Sequence, residues 1–175
     1  MNEILEALES RRSCRKYKRE PIPAETIDRI VEAGLYAASA KGEQRSIVLA
    51  VTDPALRGEL SEMNRKIGGW QAGFDPFYGA PAVLVVLSER SGFAPVQDGS
   101  LVLGNLMQAA SALGVGSCWI HRAQEEFESE EGKAILKRLG VQGDYIGVGH
   151  CILGWPDGPA AQPAPRKANR VWYAK

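Results

Sequence analysis

Several features that would place a chain in a class at once are missing here. No apolar run approaches the roughly 20 residues a helix needs to cross a bilayer. The nearest candidate, the stretch of about 15 residues from Gly99 to Leu113, is interrupted by Asn105, Gln108 and Ser111. No sign of charge prevails: 21 Lys and Arg balance 21 Asp and Glu, so no bulk field draws nucleic acid or an anionic membrane. Any bound anion therefore needs a local cluster. Cysteine is scarce, and Cys14, Cys118 and Cys151 form neither a disulfide framework nor a closely spaced iron–sulfur set. The opening MNEILEALESRRS has no apolar signal region, so a cytoplasmic protein with free thiols is expected. The glycine signatures of dinucleotide-binding and P-loop folds are absent, as is any internal repeat.

What is present fits one domain over residues 1–175, since a chain of this length removes about 70% of its extended surface from water. The stretch from Gly99 to Leu113 is apolar nearly all round, which predicts a buried central helix with Asp98 as N-cap and Gly114 and Gly116 closing its end. Residues 117–121 follow as a short strand entered through glycines, where backbone can approach a ligand closely. Apolar spacing predicts helices near the N-terminus (Ile4, Leu5, Leu8), from Ala24 to Ala38, and from Pro54 to about Lys66 behind an Asp53 cap. Strands are expected at Ile47–Val51, Ala82–Leu87 and Tyr145–Trp155, with a possible last one at Val171–Ala174. The acidic run Glu125 to Glu131 suits the start of one further helix, where carboxylates need no functional explanation. The aromatic, glycine-rich segment from Gly68 to Ala80 needs a cover: a partner subunit, a planar ligand, or its own core.

Between Arg11 and Arg19 six of nine residues are basic. Such a run is either a solvated or flexible arm, or an anion site in which Ser13 adds a hydroxyl to guanidinium forks. The second reading requires the arginines to converge in a cleft. A guanidinium about 4 Å from an anion is worth roughly 4 kcal/mol at an effective dielectric near 20 before desolvation, against about 1 kcal/mol or less for an exposed pair. The loop Ser39–Ser46 carries Lys41, Gln44 and Arg45 and taken alone is a surface connection. Cys118, His121, His150 and Cys151 have zinc-ligand chemistry, but on strands residues 118 and 121, and neighbours 150 and 151, point to opposite faces. No metal site is expected, and the strand cysteines are read as buried and structural.

Arg11, Arg12, Ser13 and Arg15 in RRSCRKY, followed by PIP and a helix, resemble the opening of the FMN-dependent nitroreductase family. AASAKGEQ resembles that family's second flavin-contacting loop, and APAVLVVL, NLMQAASALGVGSCWI and APRK follow in the family's order. The likeness spans essentially the whole chain and is closest to a compact branch with a Ser-x-Lys-Gly-x-Gln loop and a GSCWIHR strand. It implies an α+β fold: a three-layer α/β/α sandwich with a mixed, mainly antiparallel sheet, helices on both faces, and a central buried helix at a homodimer interface. It also implies FMN, its phosphate held by Arg11, Ser13 and Arg166, with Arg12 on the ribityl or pyrimidine side. Arg15 and Lys41 would lie near the flavin's polar edge, with Gln44 as a further contact. The backbone of Ser117, Cys118, Trp119 and Ile120 would meet the N5 side, and Ala38, Ser39 and Ala40 would serve the other subunit's flavin. Ala38, Gly42 and Arg45-Ser46 depart from the family's Pro, Asn and Pro-Trp, so contacts at 42 and from that tryptophan do not carry over. The implied reaction takes a hydride from NADH or NADPH through FMN to a nitroaromatic, quinone or similar small aromatic acceptor, with no side chain as acid or base. Alternatives are a flavin-dependent dehydrogenase or flavin-degrading enzyme on the same fold, a non-catalytic FMN-binding or storage protein, and a nucleic-acid-binding basic arm.

Overall fold

The computed structural model describes residues 2–174. Four strands, β1 (Ser46–Val51), β2 (Ala82–Glu89), β3 (Gly116–Ile120) and β4 (Tyr145–Gly154), form a sheet in the order β1-β2-β4-β3, every neighbouring pair antiparallel. Ser13 adds one isolated parallel bridge to Ser117 beside this antiparallel sheet. β2 is a continuous apolar run because both its faces are covered. Val83, Val85 and Leu87 face one core with α3 (Pro54–Ile67), α5 (Ala123–Glu128) and α6 (Glu130–Arg138). Leu84 and Val86 face the other, with α2 (Ala24–Leu35) and α4 (Pro95–Ala112). The result is the expected sandwich with helices on both faces.

Local signals explain several boundaries. Asp53 accepts from the amides of Ala55 and Leu56, capping α3 with Pro54 at its first position. Asn2 caps α1 (Glu3–Ser10) in the same way. A bulge between Val86 and Leu87 falls opposite Gly149 and Gly147. A Cβ on Gly147 would come within 2.0 Å of the Ala123 carbonyl oxygen, so α5 can rest on β4 only over a glycine.

Other expectations are corrected. Asp98 is not the cap of α4, which starts earlier, at Pro95 with Ala94 as cap residue. Asp98 lies inside the first turn and its carboxylate accepts from the Ala40 amide at 2.9 Å. Within the single chain α4 turns Val102, Leu103, Leu106 and Ala110 to the sheet and leaves Leu101 51% exposed on its other face. α2 stops at Leu35, short of Ala38. The single helix expected over the acidic run is two, because Ser129 is extended and its hydroxyl accepts from the Gly132 amide to start α6. Residues 171–174 form no strand and are exposed. Among the described residues no helix is long and apolar enough to cross a membrane.

Candidate functional site

The basic run after α1 is an ordered strap rather than a loose arm. The Cys14 amide donates to Ser117 O at 2.8 Å, the Lys18 amide to Trp155 O at 2.9 Å, and the Asp157 amide to Lys16 O at 3.0 Å. The strap lies this close because Gly116 has no side chain: a Cβ there would sit 2.8 Å from Cys14 Sγ. At this glycine the near neighbour is therefore the chain itself. Tyr17 fastens the strap from beneath, its hydroxyl donating to Cys14 O at 2.5 Å. Burial, with Cys14 second, pushes the Tyr17 phenol well above its ordinary value, so it stays a neutral donor.

This arrangement brings Arg11, Arg12, Ser13 and Arg15 together with Lys16 and Ser117 around a cavity of about 500 Å³. Arg12 Nη1 donates to the carbonyls of Glu9 (2.7 Å) and Arg11 (2.6 Å), which fixes its guanidinium at the end of α1. Two donors here, Arg11 Nη1 and Arg12 Nε, are buried without a hydrogen-bond partner among the described residues. A buried unpaired donor costs about 1–3 kcal/mol, more when charged. A cleft that holds such donors beside a serine hydroxyl and further cations is built for an anion. Lys16 pairs instead with Asp157 at 3.2 Å, in solvent.

The second predicted loop lies elsewhere in the chain. Ala38, Ser39, Gly42 and Gln44 line a separate cavity of about 570 Å³ with residues of α2, and the two cavities share no lining residue. Ala40 is tied to Asp98. Lys41 and Gln44 have φ of 55° and 52°, and the Gln44 amide is held by Ser39 Oγ at 3.0 Å. Lys41 Nζ sits 4.7 Å from the Phe93 ring. Within one chain, then, Lys41 and Gln44 lie in the 38–44 loop, and Arg15 lines the other cavity. Arg45 is engaged by Glu43 (2.8 Å) and Glu89 (2.9 Å).

On β3 the side chains alternate. Cys118 and Ile120 enter the α3/α5 core, Trp119 packs toward α4, and Ser117 reaches the arginine cavity. Cys118 and Cys151 are buried, on opposite faces of the sheet. Arg166 is outside the cavity lining; it stands in an exposed tail and donates to Ala164 O at 2.7 Å.

One polar cluster lay beyond sequence reasoning. Glu126, placed in the acidic run among residues needing no explanation, is fully buried and meets His150 Nε2 at 2.9 Å. Asn64 Nδ2 donates to the same carboxylate (2.5 Å) and to His121 O (2.8 Å), and His150 Nδ1 faces Ile120 O at 3.3 Å. The cluster pins the last residues of β3. His150 and Glu126 sit 24 positions apart, and no local pattern connects them.

A model of the nitroreductase family matches residues 8–155. A provisionally named NADH dehydrogenase/NAD(P)H nitroreductase of Archaeoglobus fulgidus is 29% identical over 160 residues, covering 89% of this chain and 87% of the relative. The crystal structure of a nitroreductase with bound FMN from Bacteroides fragilis is similar at 28% identity and a TM-score of 0.91, covering 100% of both chains. An FMN-dependent nitroreductase of Clostridium difficile is similar at 25% identity and a TM-score of 0.83, covering 97% of this chain and 99% of its own.

Proposed function

Because this chain belongs to the nitroreductase family, we propose that it is an FMN-dependent oxidoreductase working as a homodimer with NADH or NADPH as donor and a small aromatic or quinone-like acceptor. The observation that carries the cofactor assignment is the pair of buried, unpartnered donors on Arg11 and Arg12 beside Ser13 at the mouth of a cavity of about 500 Å³. Those residues fit a doubly charged phosphate monoester. Bound FMN supplies two-electron chemistry at its ring. Arg11 and Ser13 hold the phosphate, Arg12 the ribityl side, and Arg15 adds positive charge toward the polar edge. The backbone of residues 117–120 lines the ring where Ser117 borders the cavity. Ala38, Ser39, Ala40, Lys41 and Gln44 complete the partner's site, a reading supported by the separation of the two cavities within one chain. Arg166 joins the phosphate only if the exposed tail packs down on assembly. The side chains position charge and exclude water; none is assigned as acid or base.

The test begins with the visible spectrum of the purified protein, identification of the heat-released chromophore, and anaerobic addition of NADH and NADPH. FMN that is present and bleaches is the expected result. Arg11→Ala and Arg12→Ala should each weaken flavin affinity about tenfold, the loss of roughly 1.4 kcal/mol of binding, and so lower flavin occupancy, while changing the melting temperature little. Flavin that resists both donors would mean a storage protein, and unchanged occupancy in both variants would remove the arginine assignment.

A further inference from the structure

We propose that Arg122, held on Trp70 at the exit of β3, binds the anionic group of the electron acceptor, so that the enzyme favours planar aromatic acceptors carrying a carboxylate over neutral ones. The inference rests on the flavin reading above, because it is the proposed course of the ring along residues 117–120 that brings an acceptor to the end of this strand.

Arg122 immediately follows the His121 turn and adopts φ 78°, ψ 9°, a left-handed conformation uncommon for a residue with a side chain. Three contacts hold it there. Asn64 Nδ2 donates to His121 O at 2.8 Å, His150 Nδ1 faces Ile120 O at 3.3 Å, and the Glu126 amide donates to Arg122 O at 3.0 Å. Backbone kept in such a conformation by its surroundings is a recurrent mark of functional positions. The guanidinium is directed onto the Trp70 ring, Cζ 4.6 Å from its centroid.

Trp70 is a fixed platform. Its amide donates to Arg65 O at 3.1 Å, its carbonyl accepts from Arg65 Nη1 at 2.6 Å, and its ring packs on Phe74 at 5.1 Å. Phe74 in turn meets Tyr78 edge-on at 6.2 Å, and Arg15 of the proposed cofactor cavity lies 6.0 Å from the Tyr78 ring. The aromatic row therefore runs from the exit of β3 to Tyr78, whose ring faces Arg15, a residue of the arginine cavity's wall. Two other arginines of the loop region have carboxylate partners, Arg57 with Asp75 and Arg65 with Glu62. Among the described residues Arg122 has none within salt-bridge distance. A half-buried guanidinium with one face on indole and its donor fork open matches a carboxylate on a flat ring, which it can grip through two parallel N–H bonds.

The test compares 4-nitrobenzoate with nitrobenzene, which share the reacting nitro group and differ in the carboxylate, using flavin-loaded protein and saturating nicotinamide. Wild-type kcat/KM should favour 4-nitrobenzoate by about tenfold or more, mostly through KM. Arg122→Gln should lower the value for 4-nitrobenzoate about tenfold and leave nitrobenzene within about twofold, while Arg122→Lys keeps part of the preference. Calorimetry with benzoate on the oxidised holoprotein supplies a readout free of turnover: saturable binding is expected for wild type and loss of it for Arg122→Gln. A preference that survives Arg122→Gln, equal losses on both acceptors, or an effect confined to reduction by the nicotinamide, whose own phosphates would then be the anion, overturns the proposal. Those outcomes occur with flavin bound and bleaching, so they are distinct from absent or unreactive flavin, which would overturn the function reading and this inference with it.

Discussion

Glu126 and His150 are both fully buried, and each polar atom of the pair has a defined partner. Both ring nitrogens of His150 face oxygens, Ile120 O at Nδ1 and the Glu126 carboxylate at Nε2, so the side chain is held at both ends. Removing one member leaves the other unpaired in the core, which typically costs about 3–5 kcal/mol, whereas removing both can be nearly neutral. Glu126→Leu should accordingly lose about that much in denaturant unfolding, and Glu126→Leu combined with His150→Leu should recover part of it. A double variant no more stable than the single one would mean that the two side chains are not coupled. The cysteines make a second prediction at this scale. Burial, more than the nearby Cys118, pushes the Cys151 thiol well above its ordinary value, and Cys118 is equally enclosed, while Cys14 is partly open at the cavity wall. Flavin-free native protein should therefore expose one thiol per chain to an aromatic disulfide reagent and three after denaturation; rapid labelling of all three in the native state would contradict the packing of β3 and β4.

At the level of elements, the loop from Gly68 to Ala80 is built on one carboxylate. Asp75 accepts from Arg57 Nη2 (2.5 Å), Ser61 Oγ (2.7 Å) and the amides of Phe77 (2.9 Å) and Gly79 (2.7 Å), and Phe77 between them is fully buried. Burial by itself would raise the Asp75 carboxyl; the donors led by Arg57 and Ser61 outweigh it and hold the group below the usual carboxylate range. A lowered folded-state value means stabilisation that is present above the unfolded value near 3.9 and lost as pH falls through the folded one. Asp75→Asn should cost about 1–2 kcal/mol at pH 7 through weakened charge-assisted bonds, and the gap to wild type should close below about pH 4. A gap that stays constant down to pH 3 would separate the loop's stability from the carboxylate. This loop also shows where sequence reasoning stops. Asp53-Pro54 was legible as a cap, and 82–87 as a buried strand, because those signals lie within a few residues of what they control. Asp98 looked like a cap for the same reason, but its partner, Ala40, is 58 positions away. Ser129 divides the acidic helix through a hydroxyl contact that spacing alone does not reveal. The arginine cluster was legible as anion chemistry, whereas its strapping to β3, the burial of Glu126 and the seat of Arg122 on Trp70 depend on contacts between distant segments.

For the whole molecule the question is why one chain presents two unfinished surfaces. Its arginine cavity and its 38–44 cavity share no lining residue, so the proposed cofactor contacts fall into two separate groups within one chain. The same chain leaves Ile4, Leu5 and Leu8 of α1 and Leu101 of α4 more than half exposed, and α1 and α4 border a shared apolar groove with Ala33 of α2. Contiguous apolar surface of this kind marks an association site, and a two-fold pairing would give each cavity the opposite member from the partner. Flavin retention and dimerisation should then be linked, so that each strengthens the other by mass action. Leu101→Glu places a charge on the exposed face of α4, at a position outside the lining of the arginine cavity. Sedimentation should find it monomeric, its far-ultraviolet circular dichroism should match wild type, and its flavin occupancy should fall at least as far as that of Arg11→Ala. A folded monomer that keeps its flavin would show that one chain's arginine cavity suffices, and the second cavity would need another explanation.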